Sequence, residues 1–241
     1  MSIETARRPW FLRLARWYAR RRLRAAFDGV FVSGLEPVRD RVRRAPLVFA
    51  MNHVSWWDAF IVVLIDEALG AESYCLMDAD NLDRLPFFGW IGAVPLHRSI
   101  PRTAIAELHR YAKLADRPGR IAWIFPQGAQ RPPHLRPLGL HRGVNVLAAE
   151  SGAAVVPVSL SYGFREAPEP TAVVSIGAPC ELQRSAPPAE LEQRLIAGLE
   201  KNDRFVLSGD RDFDALVAPK RRTTVPLQGR LLARLGGGER G

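Results

Sequence analysis

At 241 residues, with 47% apolar and 24% charged side chains, the chain is long enough for one large domain, or a domain with an appendage, around a sizeable core. No apolar run approaches the ~18 residues that a membrane-spanning helix needs, and the N-terminus lacks an apolar stretch ahead of a small-residue cleavage site, so neither a span nor a secretory signal is expected. Cys75 and Cys180 have no Cys or His at metal-ligand spacing, which points to reduced thiols in a reducing compartment and to no metal site.

The net charge of +9 is unevenly placed: residues 1–44 hold twelve arginines against Glu4, Asp28, Glu36 and Asp40, and twelve less four leaves eight. Within that segment Trp10, Phe11, Leu14, Trp17 and Tyr18 recur at helical spacing, with Arg13, Arg16, Arg20 and Arg21 between them. Residues 1–28 therefore read as a basic amphipathic helix. Three uses compete for it: lying on an anionic membrane surface, packing on its own domain with a solvated basic face, or neutralising nucleic-acid phosphates. Two tryptophans on a short basic helix favour the membrane surface, and no nucleic acid is expected as a partner.

Beyond it, residues 30–35 read as a short strand followed by a charged turn. Strands are expected at 47–51, 73–77, 92–96, 121–125, 154–160 and 171–176, and helices at 59–69, 103–115, 143–151 and 189–201. Ile105, Leu108 and Ala112 share one face of the second of these helices, and Leu191, Leu195 and Leu199 one face of the last. This alternation argues for an α/β fold: a layered mixed or mostly parallel sheet flanked by helices, preceded by the basic amphipathic helix. Three segments follow: a membrane-surface helix over 1–28, an α/β domain over 29–208, and a basic, Gly-rich, loosely ordered tail over 209–241.

The stretch Asn52-His53-Val54-Ser55-Trp56-Trp57-Asp58 places an imidazole and a carboxylate five positions apart, between the strand at 47–51 and the helix at 59–69. A carboxylate that accepts the Nδ1 proton leaves Nε2 as a general base toward a hydroxyl or a water. Taken alone, Asp58 also suits a helix cap, with His53 merely closing a turn. In Phe125-Pro126-Gln127-Gly128-Ala129-Gln130-Arg131, Gly128 permits close approach of backbone to a ligand and Arg131 offers a fork for a phosphate; an ordinary strand-ending turn is the alternative. Gly92 leads to His97-Arg98-Ser99, where Arg98 suits a phosphate or carboxylate, or is a plain surface charge. In Ala154-Val155-Val156-Pro157-Val158 the residues suit the core, or a channel for an acyl chain, and Pro157 marks a bulge or a sheet edge.

In this order the blocks resemble the motif set of the glycerolphosphate and lysophosphatidic acid acyltransferase superfamily: N-H-x4-D, a G-x5-R type block, F-P-E-G-T-R and a V-P-V type block. Here they read Asn52-His53 with Asp58, Gly92 with Arg98, Phe125-Pro126-Gln127-Gly128, and Val156-Pro157-Val158, with Leu140-His141-Arg142-Gly143 at the family's basic-Gly step. The resemblance covers roughly residues 30 to 180. It implies acyl transfer from an acyl-CoA or acyl-carrier-protein thioester to a lipid hydroxyl, with His53 as base and Asp58 fixing its tautomer, and with no further cofactor. It further implies that Arg98, Gln127, Gly128 and Arg131 bind substrate, and that the enzyme sits peripherally on the cytoplasmic face of the cell membrane. The chain departs from the family at Gln127 for Glu, Ala129 for Thr and Gln130 for Arg, with Arg131 one place later. A 1-acylglycerol-3-phosphate acceptor is the first expectation. A different lipid alcohol or glycolipid, or a non-catalytic lipid-binding relative, are the alternatives.

Overall fold

A computed structural model describes residues 7–209 and 212–220. Eight strands form one sheet in the order β4-β3-β5-β2-β6-β7-β1-β8, where β1 is Gly29–Ser33, β2 Leu47–Met51, β3 Glu72–Asp78, β4 Ala93–Leu96, β5 Arg120–Ile124, β6 Ala154–Gly163, β7 Thr171–Ile176 and β8 Asp214–Val217. Strands β4, β3, β5, β2 and β6 run parallel; β7 reverses against β6, β1 is parallel to β7, and β8 closes the edge antiparallel to β1. The helices are α1 (Pro9–Ala26), α2 (Leu35–Arg44), α3 (Asp58–Leu69), α4 (Ala79–Arg84), α5 (Pro101–Leu114), α6 (Gly143–Ser151) and α7 (Ala189–Ser208), with a 3₁₀ turn at Pro86–Ile91.

Both faces of the parallel region are covered, which is why β2 is apolar at every position rather than at alternate ones. Leu47, Phe49 and Met51 point into one layer, with Leu23 of α1, Val38 and Val42 of α2, and Ile61 and Ile65 of α3. Val48 and Ala50 point into the other, with Leu108 and Tyr111 of α5, Leu147 of α6, and Leu191 and Leu195 of α7. All nine of the strands and helices expected between 47 and 176 are present, with ends displaced by up to three residues.

Several local readings change. The charged turn after the first strand is helix α2: Leu35, Val38 and Val42 lie three and four apart and are buried, while the arginines between them take the solvent face. Residues 79–91, without an expected element, hold α4 and the 3₁₀ turn. Ile105 is exposed, so the inner face of α5 is carried by Leu108, Tyr111 and Ala112 instead. The last helix runs on to Ser208, with Asn202 and Phe205 buried. The segment 209–241 does not start as a loose tail: Asp214–Val217 pairs with β1, and Lys220 donates its backbone N–H to the Asp28 carbonyl at 3.1 Å. The remainder of that segment, 221–241, lies outside the described residues, as does the start of the basic segment, 1–6.

Pro157 occupies an interior strand, paired with Ala50 of β2 on one side. It is tolerated because its other side faces the chain just past the end of β7, where Gly177 donates to the Pro157 carbonyl at 2.8 Å and no ladder partner needs the missing N–H. Val155, Val156 and Val158 are fully buried core residues.

Candidate active site

The site forms at the carboxyl ends of β2 and β5, the edge of a parallel sheet where connecting loops converge. At the end of β2, Asn52 is almost wholly buried and clasps β6: its amide donates to the Leu160 carbonyl at 2.9 Å and accepts from the Leu160 N–H at 2.7 Å. That clamp fixes the backbone from which His53 springs. His53 Nδ1 lies 2.7 Å from Asp58 Oδ2, and its ring packs on Phe125 at 4.5 Å between centroids.

Asp58 is the first residue of α3, yet its carboxylate does not cap the helix. It turns back to accept from the Val54 N–H at 2.7 Å, the Ser55 N–H at 3.1 Å and the Tyr162 hydroxyl at 2.8 Å, as well as the imidazole. The carboxylate is fully buried while the His53 side chain keeps 25% of its surface open. A buried anion facing Nδ1 holds the proton there, and Nε2 is left as the basic nitrogen. Burial and the Asp58 charge push the Tyr162 hydroxyl far above its ordinary pKa, so it remains a donor at any working pH. Tyr162 comes from β6, 104 positions from Asp58, and no sequence pattern pointed to it.

The four expected substrate-binding residues separate into two pairs. Arg98 and Gly128 line the cavity that His53 opens on. Gly128 has φ +68°, and a Cβ there would lie 3.2 Å from Arg98 Nη1 and 3.3 Å from the His141 ring, so the turn admits only glycine without displacing both. Gln127 and Arg131 brace the loop from behind instead of facing the cavity. Gln127 is buried: Oε1 accepts from the His53 N–H at 2.7 Å and Nε2 donates to the Leu138 carbonyl at 3.0 Å. Arg131 donates through its backbone to the His53 carbonyl at 2.8 Å and through Nη1 to Leu138 at 3.0 Å. An amide has both the acceptor and the donor this position uses, which a carboxylate lacks. The Gly of the G-x5-R block, Gly92, is a backbone device: at φ +110° a Cβ would stand 2.6 Å from the Ser73 carbonyl.

The cavity holds about 900 Å³. It runs from His53, Gly128 and His141 between Ala59, Val62 and Val63 of α3 and the strand β3, under α1, and reaches Ser73 and Asp66. Asp78 to Ser73 is five residues of strand, so the cavity extends roughly 17 Å back from the carboxyl edge of the sheet. Its wall is mainly apolar, but its far end is not. Asp66 is buried there, accepting from Trp123 Nε1 at 2.8 Å and from the Ser73 hydroxyl, and burial raises its pKa to about 6. Among the described residues no group of three or more His, Cys, Asp or Glu side chains is arranged to hold a metal ion.

The protein thus carries a His–Asp pair at the carboxyl edge of a largely parallel sheet, opening on a long and mainly apolar cavity. The comparison with known proteins places it more closely: the chain belongs to the acyltransferase family, whose sequence profile matches residues 29–161. Among curated proteins it is 31% identical over 140 residues to a chloroplastic 1-acyl-sn-glycerol-3-phosphate acyltransferase of Arabidopsis thaliana, covering 56% of this chain and 36% of that one. It is 28% identical over 137 residues to a 1-acyl-sn-glycerol-3-phosphate acyltransferase of Pseudomonas aeruginosa, covering 55% and 49%. It is 30% identical over 166 residues to a lyso-ornithine lipid O-acyltransferase of the same bacterium, covering 64% and 55%. The chain thus spans about a third to a half of the length of these relatives.

Proposed function

We propose that this protein transfers a fatty acyl group from a thioester, acyl-CoA or acyl-carrier protein, to the hydroxyl of a monoacylated lipid, with His53 as general base. The observation that carries this reading is the 2.7 Å contact from Asp58 to His53 Nδ1 at the mouth of the apolar cavity. In the reaction the acceptor O–H gives its proton to Nε2 as the oxygen attacks the thioester carbonyl. The tetrahedral adduct then collapses, the C–S bond breaks, and the leaving sulfur takes the proton back from the imidazolium. The products are an ester and a thiol, and the buried Asp58 stabilises the transient imidazolium. No acyl-enzyme is needed, and the residues give no step that calls for a cofactor beyond the acyl donor. The relatives named above act on acceptors with different headgroups; a monoacylated lipid is what those names share, and 1-acylglycerol-3-phosphate is among the candidates.

The same reading puts the enzyme on a membrane surface, peripherally and on the cytoplasmic face, where such thioesters are met. Its support is α1. The helix is held to the domain by buried Ala19 and Leu23, by Phe11 against Trp90 at 5.1 Å and by Arg20 paired with Glu67 at 3.0 Å, while Trp10, Leu14, Trp17 and Tyr18 stay exposed. Among the described residues no helix is long and apolar enough to cross a membrane. An exposed aromatic stripe beside arginines matches the composition of an interfacial helix.

Thioester consumption by the purified protein with a lipid alcohol, compared with His53→Ala, tests the assignment. A fall of about 10²–10⁴-fold in the variant is expected; equal rates in the two proteins would overturn it.

A further inference from the structure

The arginine that lines the cavity mouth is already paired before any substrate arrives. Arg98 is the arginine there, and three of its donors are spent: Nε and Nη2 lie 2.9 and 2.7 Å from Asp78 Oδ2, and Nη1 donates to the Gly128 carbonyl. The Arg98 pairing in turn holds the Asp78 carboxyl below its usual range. Asp80 follows two residues on, so a second cleft beside the mouth, lined by Asp78, Asp80 and Arg98, sets two carboxylates against one guanidinium. Arg131 faces Leu138 and does not line the cavity, and the other arginines on the cavity wall, Arg7 and Arg16, belong to the segment packed over its far end, where Arg7 pairs with Glu72 at 2.9 Å. What remains open at the mouth is largely neutral: the amides of Asn81 and Gln130, the His141 ring and the backbone of Gly128.

A phosphate monoester bound in such a site would have to share Arg98 with a carboxylate that repels it, whereas tight phosphate binding uses an unshared guanidinium fork or several cations. Amides that both donate and accept fit hydroxyl groups. Resting on the acyl-transfer reading above, we propose that the Asp78–Arg98 pair makes the acceptor site select an uncharged, hydroxyl-bearing lipid, such as a monoacyl glycolipid, over a phosphate monoester. Asp78 acts here as a specificity-determining residue: it keeps Arg98 oriented and neutralised.

The test uses the full chain, one acyl-CoA, and four acceptors carrying the same single acyl chain: a monoacyl glycosylglycerol, 1-acylglycerol, 1-acylglycerol-3-phosphate and lyso-ornithine lipid, with ester formation read by mass spectrometry. The expected result is a kcat/KM for either uncharged acceptor at least about tenfold above both charged ones, the size of one charge-assisted hydrogen bond. Asp78→Asn keeps a side-chain oxygen for the Asp80 N–H that caps α4 but releases the charge of Arg98, and should move the phosphate-to-neutral ratio upward by about tenfold. Faster acylation of 1-acylglycerol-3-phosphate or of lyso-ornithine lipid by the unaltered protein would overturn the proposal, and, if lost in His53→Ala, would leave acyl transfer itself standing. An unchanged ratio in Asp78→Asn would also overturn it. No ester on any acceptor would overturn both.

Discussion

Asp58 accepts from a ring nitrogen, two backbone N–H groups, a phenol and, at 3.4 Å, the Ser55 hydroxyl, and under the proposed mechanism only the first of these takes part in chemistry directly. The others set where the carboxylate points and how much of its charge the imidazole feels. Tyr162 is the one contributed by a distant strand, so its removal should alter His53 through Asp58 without touching substrate. Tyr162→Phe is expected to lower kcat about tenfold with little change in KM, since a hydrogen bond to a charged group contributes about 1.5–3 kcal/mol. The acid limb of the pH–rate profile should move to higher pH, because a carboxylate with one donor fewer holds the imidazolium more firmly. A uniform loss of activity with an unmoved profile would show a purely structural role. His53 and Asp58 were legible at this scale because five positions of one tight loop join them. Tyr162 was not: it reaches Asp58 only once β6 lies beside β2. Gln127 shows the opposite outcome, a residue singled out for substrate that spends both ends of its amide on the loops around His53.

Helix α1 carries two kinds of surface. Its inward side is set by Ala19 and Leu23 against α3 and the sheet, and its arginines are partly engaged: Arg8 lies over Trp90, Arg22 over Trp57, and Arg20 meets Glu67. The outward aromatic stripe meets neighbouring rings, and Arg21 lies over Trp17 at 5.9 Å. Trp10 and Trp17 are 53% and 58% exposed, an arrangement that costs apolar hydration unless a lipid surface covers it. Flotation with anionic vesicles should therefore fall at least about tenfold in a Trp10→Ser, Trp17→Ser double variant whose far-ultraviolet spectrum is unchanged, taking roughly 1.4 kcal/mol of lost aromatic burial as tenfold. Undiminished flotation would assign the stripe another role. Periodicity alone identified α1, α3, α5, α6 and α7, whose apolar faces repeat every three or four residues. It missed α2, where six charges in ten residues hide Leu35, Val38 and Val42, and it missed α4, which is one and a half turns long.

At the level of the whole molecule, the buried Asp66 ties folding to pH. Its carboxyl sits where the cavity ends, with a pKa raised to about 6 from 3.8, chiefly by burial and against the pull of Ser73 and Trp123. Between these values the folded chain holds a proton that the unfolded chain has released. The group's contribution is thus fully present below pH 3.8 and is lost as pH rises through about 6. Asp66→Asn keeps an oxygen for the Trp123 N–H and has no charge to bury. Relative to the unaltered protein its thermal stability should improve as pH rises from about 4 through about 6 and then level off, by at most about 3 kcal/mol in all, with no such trend below pH 4; parallel melting curves from pH 4 to pH 7 would refute this. By itself the order of apolar runs and helical periods determined the α/β class, the His53–Asp58 pair and the basic aromatic helix, because each is written in the spacing of residues along the chain. The tertiary structure alone decided the rest. It ran the sheet through the order β4-β3-β5-β2-β6-β7-β1-β8, set Tyr162 on Asp58, turned Gln127 and Arg131 away from the cavity and pinned Arg98 to Asp78. These contacts join residues brought together by strand pairing and loop packing, and no local spacing encodes which buried polar group will satisfy which.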